Sequence, residues 1–195
     1  LNSTPKALRA IAVASGPSYT SAQAKLIADS PYFTLAVNRA WEPMWGADAV
    51  YVADAHRTKD MVRARGYEGI VISTQEDEHV DTVYEGRAGA GLCRTQGVIH
   101  YGGNGGYQAL GVLYQMGFTQ IILVGYDYCE GPQGQRHFHP HHPDDWGNFS
   151  SPSERGRPMA ELAKGLKAAG VHVVNASERT SLTCFQRQDL HVCLR

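Results

Sequence analysis

Short apolar runs alternate with segments of helical period along this chain, a pattern that predicts a parallel sheet covered by helices on both faces. ALRAIAVA at Ala7–Ala14 predicts the first strand, followed by the turn Ser15-Gly16-Pro17-Ser18 and a helix reaching about Asp29. Phe33–Asn38 (FTLAVN), Ala47–Ala53 (ADAVYVA) and Gly69–Ser73 predict the next three strands. A basic helix near Arg57–Arg65, closed by Gly66, is expected before the fourth. Thr74–Arg94 has neither period and reads as an excursion at the sheet edge. Val98–Tyr101 predicts a strand entering the turn Gly102-Gly103-Asn104-Gly105-Gly106, and Tyr107–Met116 places Leu110, Leu113 and Tyr114 on one helical face. Ile121–Val124 (IILV) has the length and apolarity of a buried central strand. The polar stretch from Cys129 to Arg157 reads as a long structured loop or lid. A helix over Met159–Ala169, with Pro158 in its first turn and Gly170 after it, leads to a last strand at Val171–Asn175. The expected architecture is therefore α/β: a Rossmann-like parallel sheet with helices on both faces, a single domain over residues 1–195 with a histidine-rich loop at about 129–157.

Composition narrows the functions such a domain can serve. The 195 residues suit one core, and a mean hydropathy of -0.33 predicts a soluble chain with no membrane span. Eighteen Lys and Arg balance 19 Asp and Glu, so no broad basic surface advertises nucleic acid as a partner. The four cysteines form no C-x-x-C pair, and the first residues lack an apolar run of signal-peptide length, both of which predict a cytoplasmic setting.

Candidate chemistry gathers after the strands. Gly16 and Pro17 shape a tight turn, while Ser18 is suited either to cap the next helix or to meet a phosphate. The run from Gly102 to Gly106, with glycines at Gly105 and Gly106, presents backbone amides at a helix start, although no Lys-Ser/Thr pair follows to make it a P-loop. Asn38 and Asn104 can read a base or ribose edge, or serve as turn and cap residues. Asp54 and Asp127 can bind hydroxyls or a cation, or stand as solvated strand-end carboxylates. Four of the nine histidines lie within His137–His142. Their imidazoles suit zinc ligation, general-base catalysis or the steadying of a phosphate, and a surface cluster without a role is the simplest alternative. In an open parallel sheet the ends of strands are where ligands sit, so these segments predict one polar ligand site.

Ser15-Gly16-Pro17-Ser18 resembles the first-strand G-x-G-P-S turn of the bacterial sialyltransferases and of the related motility accessory glycosyltransferases. The block from Asn104-Gly105-Gly106-Tyr107 through Met116-Gly117-Phe118 to Gly125-Tyr126-Asp127 resembles their N-S-G, helix, strand, G-x-D block, with Asn38 matching after the second strand. A still nearer likeness is to small phage-borne proteins with a histidine-proline loop after a G-Y-D strand. The resemblance implies a CMP-sugar-like nucleotide-sugar as donor substrate and a host cytoplasmic location if the chain is phage-encoded; with glycine amides and histidines in place of a dense carboxylate set, no cofactor or metal is expected to be required. Gly16, Pro17 and Ser18 would touch the donor's phosphate side, Asn38 and Asn104 its ribose or base. A loop histidine, His137, His139 or His142, would act as base. Ser15 stands where the sialyltransferases usually carry Asn, and the chain is shorter than those enzymes, which leaves the acceptor open. Two alternatives come from other classes. One is a Mg²⁺-dependent diphosphokinase or nucleotide hydrolase using Asp54 and Asp127, since archaeal pterin diphosphokinase-like enzymes share the G-P-S turn. The other is a non-catalytic phage accessory or morphogenesis protein that keeps the fold for binding. A homo-oligomer is compatible with either.

Overall fold

A computed structural model describes residues 8–44, 46–53, 62–63, 66–139 and 152–195. Five strands form where the apolar runs predict them: β1 (Arg9–Val13), β2 (Phe33–Val37), β3 (Ala49–Val52), β4 (Ile70–Ser73) and β8 (Gln120–Val124). Their interiors are buried on both sides, which is why they read as continuous apolar segments without polar alternation. With β5 (Thr82–Val83), β9 (His172–Asn175) and β10 (Gln186–Arg187) they build one sheet of eight parallel strands in the order 10-9-8-1-2-3-4-5. Helices cover both faces, as a Rossmann-like α/β fold requires. Ala10, Ala12, Leu35 and Leu123 face α2 (Gly105–Gln115) and α3 (Pro152–Ala168) on one side. Ile11, Val13, Ile122 and Val124 face α1 (Ser21–Ala28) and the short α4 (Leu190–Cys193) on the other. Alternate residues of one strand thus feed two separate apolar layers.

Several expectations are corrected. The strand expected at Val98–Tyr101 is present as β7 (Val98–His100) but lies outside the main sheet, pairing in parallel with β6 (Glu85–Arg87) in a separate two-stranded sheet. The chain leaves the main sheet after β5 to form that pair, which a three-residue run cannot reveal. The strand expected at Val171–Asn175 is present as β9, but it is not the last, because β10 follows it; two polar residues are too few to carry a period. The helix expected to begin at Met159 begins at Pro152 and holds Pro158 inside it. Pro152 occupies the first helical position, where its missing N–H costs nothing, and Pro158 gives up a single i→i−4 bond that the packing of Met159 and Leu162 outweighs. The basic helix at 57–65 falls largely outside the described residues.

The strand order reverses between β1 and β8: from β1 the chain winds outward through β2 and β3, then returns to place β8 on the other flank. At the carboxyl ends of these two strands the flanking connections leave in opposite directions, which is where open α/β sheets place their ligands. Among the described residues no helix is long and apolar enough to cross a membrane.

Candidate functional site at the switch point

The turn after β1 is locked to the end of β8. Gly16 N–H donates to the Gly125 carbonyl at 2.9 Å, and a Cβ on Gly16 would overlap that carbonyl and the Asp127 carboxylate. Ser18 donates twice to Asp127, backbone N–H to Oδ2 and hydroxyl to Oδ1, each at 2.7 Å. Asp127 is 1% exposed and has both oxygens engaged in this latch. Gly16 and Ser18 are therefore committed to holding two strand ends together, where the sequence suggested open backbone for a ligand. Neither does Ser18 cap α1. Thr20 does so, in a capping box with Gln23. Likewise Asp127 is no solvated carboxylate, and a cation would have to displace Ser18 to reach it. Pro17 lies under the following loop, where a Cβ on Gly131 would stand 3.2 Å from its ring.

Burial pushes the Asp127 carboxyl above the ordinary aspartate range, against the lowering effect of the two Ser18 bonds and of Arg179. A carboxyl that holds its proton to higher pH when folded stabilises the fold most below its unfolded pKa, and that contribution is lost as pH rises towards the folded value. Urea midpoints of the wild type and Asp127→Asn, measured from pH 3 upward, should show the wild type losing stability relative to the variant from about pH 4. A difference independent of pH would contradict the assignment.

Around this latch the other candidate segments meet. Asn38, at the end of β2, adopts a left-handed conformation (φ 51°) and its Oδ1 accepts from the Ala53 N–H at the end of β3, at 3.0 Å. Asn104 caps α2: its Oδ1 accepts from Tyr107 N–H at 2.9 Å and from the Tyr128 hydroxyl at 2.7 Å. Tyr128, directly after Asp127, is the other non-glycine residue with positive φ (51°) among the described residues. Two strained backbones at one sheet edge mark a place where local preference is overruled. Gly105 and Gly106 are buried. A Cβ on Gly105 would stand 3.0 Å from Val37 Cγ1 and 3.2 Å from Ala53 Cβ, and one on Gly106 would stand 3.1 Å from the Tyr126 ring. These glycines let α2 sit against the sheet ends, so Gly105→Val alters core packing and does not isolate a ligand contact.

The loop after β8 folds back over the same edge. Phe138 N–H donates to the Ser15 carbonyl at 3.1 Å, and its ring packs edge-on to Tyr19 at 5.3 Å. The rings of His137 and His139, on either side of it, stack at 4.9 Å and are parallel within 6°. Arg39, in the 3-10 turn Asn38–Trp41, is held by a two-pronged ion pair with Glu42 (Nε–Oε1 2.7 Å, Nη2–Oε2 3.0 Å) and turns Nη1 to His139 Nδ1 at 3.5 Å. The structure thus brings together Ser15–Ser18, Asn38, Asn104–Gly106, Asp127 and the first two loop histidines at one end of the sheet. Asp54 and His142 lie outside the described residues. Arg39, Glu42 and Tyr128 were not singled out from the sequence; an arginine directly after the strand-end Asn38 was the available signal.

The Tyr19 hydroxyl is buried and without a hydrogen-bond partner among the described residues. Burial also drives its pKa up, so it stays protonated. Removing an unpaired buried hydroxyl relieves its desolvation cost, and Tyr19→Phe should raise stability by about 1 kcal/mol. A destabilised variant in a denaturant titration would mean that the hydroxyl has a partner.

Among the described residues no group of three or more His, Cys, Asp or Glu side chains is placed to hold a metal ion. Comparison of the chain with protein-family models, with curated proteins and with solved structures gave no match.

Proposed function

We propose that the chain binds a cytidine nucleotide-sugar at the switch point and transfers the sugar to an acceptor hydroxyl. The observation that carries this reading is the Arg39–His139 pair at the ends of β1 and β2, where Asn38, the residue before Arg39, lies against Gly105 in the first turn of α2. A guanidinium fixed by Glu42, an imidazole, and the first-turn amides of a helix are all groups that hold phosphate. The cytidine and the sugar come from the sequence resemblance, and the four free thiols suit a reducing cytoplasm.

The two histidines then divide the work. An Arg N–H can donate only to an unprotonated ring nitrogen, so the lone pair of His139 faces Arg39 and is not turned to an acceptor. His139 with Arg39 is assigned to the donor phosphate, and the stacked His137, the nearer of the two to β8 along the chain, to the acceptor hydroxyl. In the transfer the acceptor oxygen forms a bond to the anomeric carbon as the bond from that carbon to the phosphate oxygen breaks. The proton passes to His137, and the electron pair leaves with CMP, whose new charge is met by Arg39 and the α2 amides. The reading is tested by incubating the protein with a CMP-sugar and a panel of hydroxyl acceptors and measuring release of CMP. Release that depends on both the acceptor and His137 is expected. Failure of every cytidine nucleotide to bind would overturn it.

A further inference from the structure

At the opposite end of the sheet, roughly 15 Å along β1 from the latch, the strand starts and the C-terminal helix enclose a half-open cleft of about 270 Å³. Ile122 and Val174 on one sheet face and Val192 on α4 give it an apolar strip within a lining that is polar over more than half of its surface. Its rim carries Arg9, His172 and Arg195, and no acidic side chain is among the residues that line it. We propose that this cleft is a second ligand site, for a small organic anion with an apolar body, of the size and shape of an aryl carboxylate.

Arg9 sets the chemistry. Its Nε donates to Gln120 Oε1 at 2.9 Å, and its Nη1 to the Tyr32 hydroxyl at 2.7 Å and to the Cys193 carbonyl at 3.4 Å. The guanidinium also lies 4.8 Å over the Tyr32 ring. A side chain held at this many points has already lost most of its rotamer freedom, so binding through it costs little further ordering. Its Nη2 donates no hydrogen bond among the described residues, which leaves one edge of a fixed planar cation for a ligand oxygen. Arg195, exposed at the rim, carries a second guanidinium, and no Asp or Glu side chain is among the residues that line the cleft. The volume equals that of roughly nine waters at about 30 Å³ each, a ligand of about nine non-hydrogen atoms. A bare inorganic anion would leave the exposed Val192 side of the apolar strip wet, and a purely apolar molecule would leave Arg9 unmatched, so both features are needed together.

The test is a titration of the methyl-labelled protein followed by NMR, with benzoate, benzyl alcohol, benzylamine and inorganic phosphate as separate probes. Benzoate should saturate shifts of the Ile122, Val174 and Val192 methyls at millimolar concentration or below. Benzyl alcohol and phosphate should each bind at least tenfold more weakly, and benzylamine not at all. Val192→Trp, at a position 48% exposed, fills the cleft without touching the core and should abolish the benzoate shifts. Arg39→Ala should leave them unchanged, so the result is independent of the nucleotide reading. No methyl shift with benzoate, or equal affinity for benzyl alcohol, would overturn the proposal.

Discussion

Gly16→Ala should lower stability by about 3 kcal/mol, an effect out of proportion to one methyl group. The added Cβ would fall on the Gly125 carbonyl, which Gly16 itself bonds at 2.9 Å, and on the Asp127 carboxylate. Neither can withdraw cheaply: the carbonyl is backbone at the end of the central strand, and the carboxylate is fixed by Ser18. The strand ends must part, and the two Ser18 bonds to a buried charge weaken with them, each worth about 1.5–3 kcal/mol. For a chain of this size the loss corresponds to a fall in Tm of roughly 6–12 °C. Gly46→Ala is the control, because a Cβ there meets only the Met44 carbonyl at 3.6 Å, and it should change stability by less than about 0.5 kcal/mol. Thermal melts of the two variants decide the matter. Equal melting temperatures would show that β1 and β8 are not latched through this glycine.

The second large effect is kinetic, and it separates the two histidines. His137→Ala should reduce kcat by roughly 10²–10⁴-fold while leaving nucleotide affinity unchanged, as removal of a general base does. His139→Ala and Arg39→Ala should act mainly on donor binding, raising KM and the Kd for CMP, because their partner is present in the ground state as well as in the transition state. The ring stack and the Arg39 contact make the two side chains neighbours, so their effects should not add. Identical kinetic profiles for His137→Ala and His139→Ala would remove the division of labour proposed for them.

Much of the frame was legible in the chain because it depends on local pattern. Apolar runs such as Ile121–Val124 could only be buried strands, and the glycine run ahead of Tyr107 had to end a turn and open a helix. The meeting of Asn38 and the loop histidines at one edge also followed, since β2 and β8 belong to one parallel sheet and end on the same side, whereas Asn104 joins them from a strand outside that sheet. The pairing that defines the latch was not legible. Ser18 and Asp127 are 109 residues apart, and neither residue type announces its partner. Glycines posed a related difficulty. The sequence shows that space is wanted at Gly16, Gly105 and Gly106 but not what fills it, and here the filler is the protein itself. Arg39 escaped notice because an isolated basic residue after a strand is ordinary until His139, 100 residues later, is placed beside it.

The central claim, that the switch point is a nucleotide site, is tested most directly by amide hydrogen exchange of the protein with and without saturating CMP. The account predicts slowed exchange confined to Ser15–Ser18, Asn38–Arg39, Gly105–Tyr107 and His137–His139, lost in Arg39→Ala, with the amides around Arg9 and Val192 unchanged. Absence of protection in those four segments, or protection appearing at the Arg9 end of the sheet in their place, would contradict it.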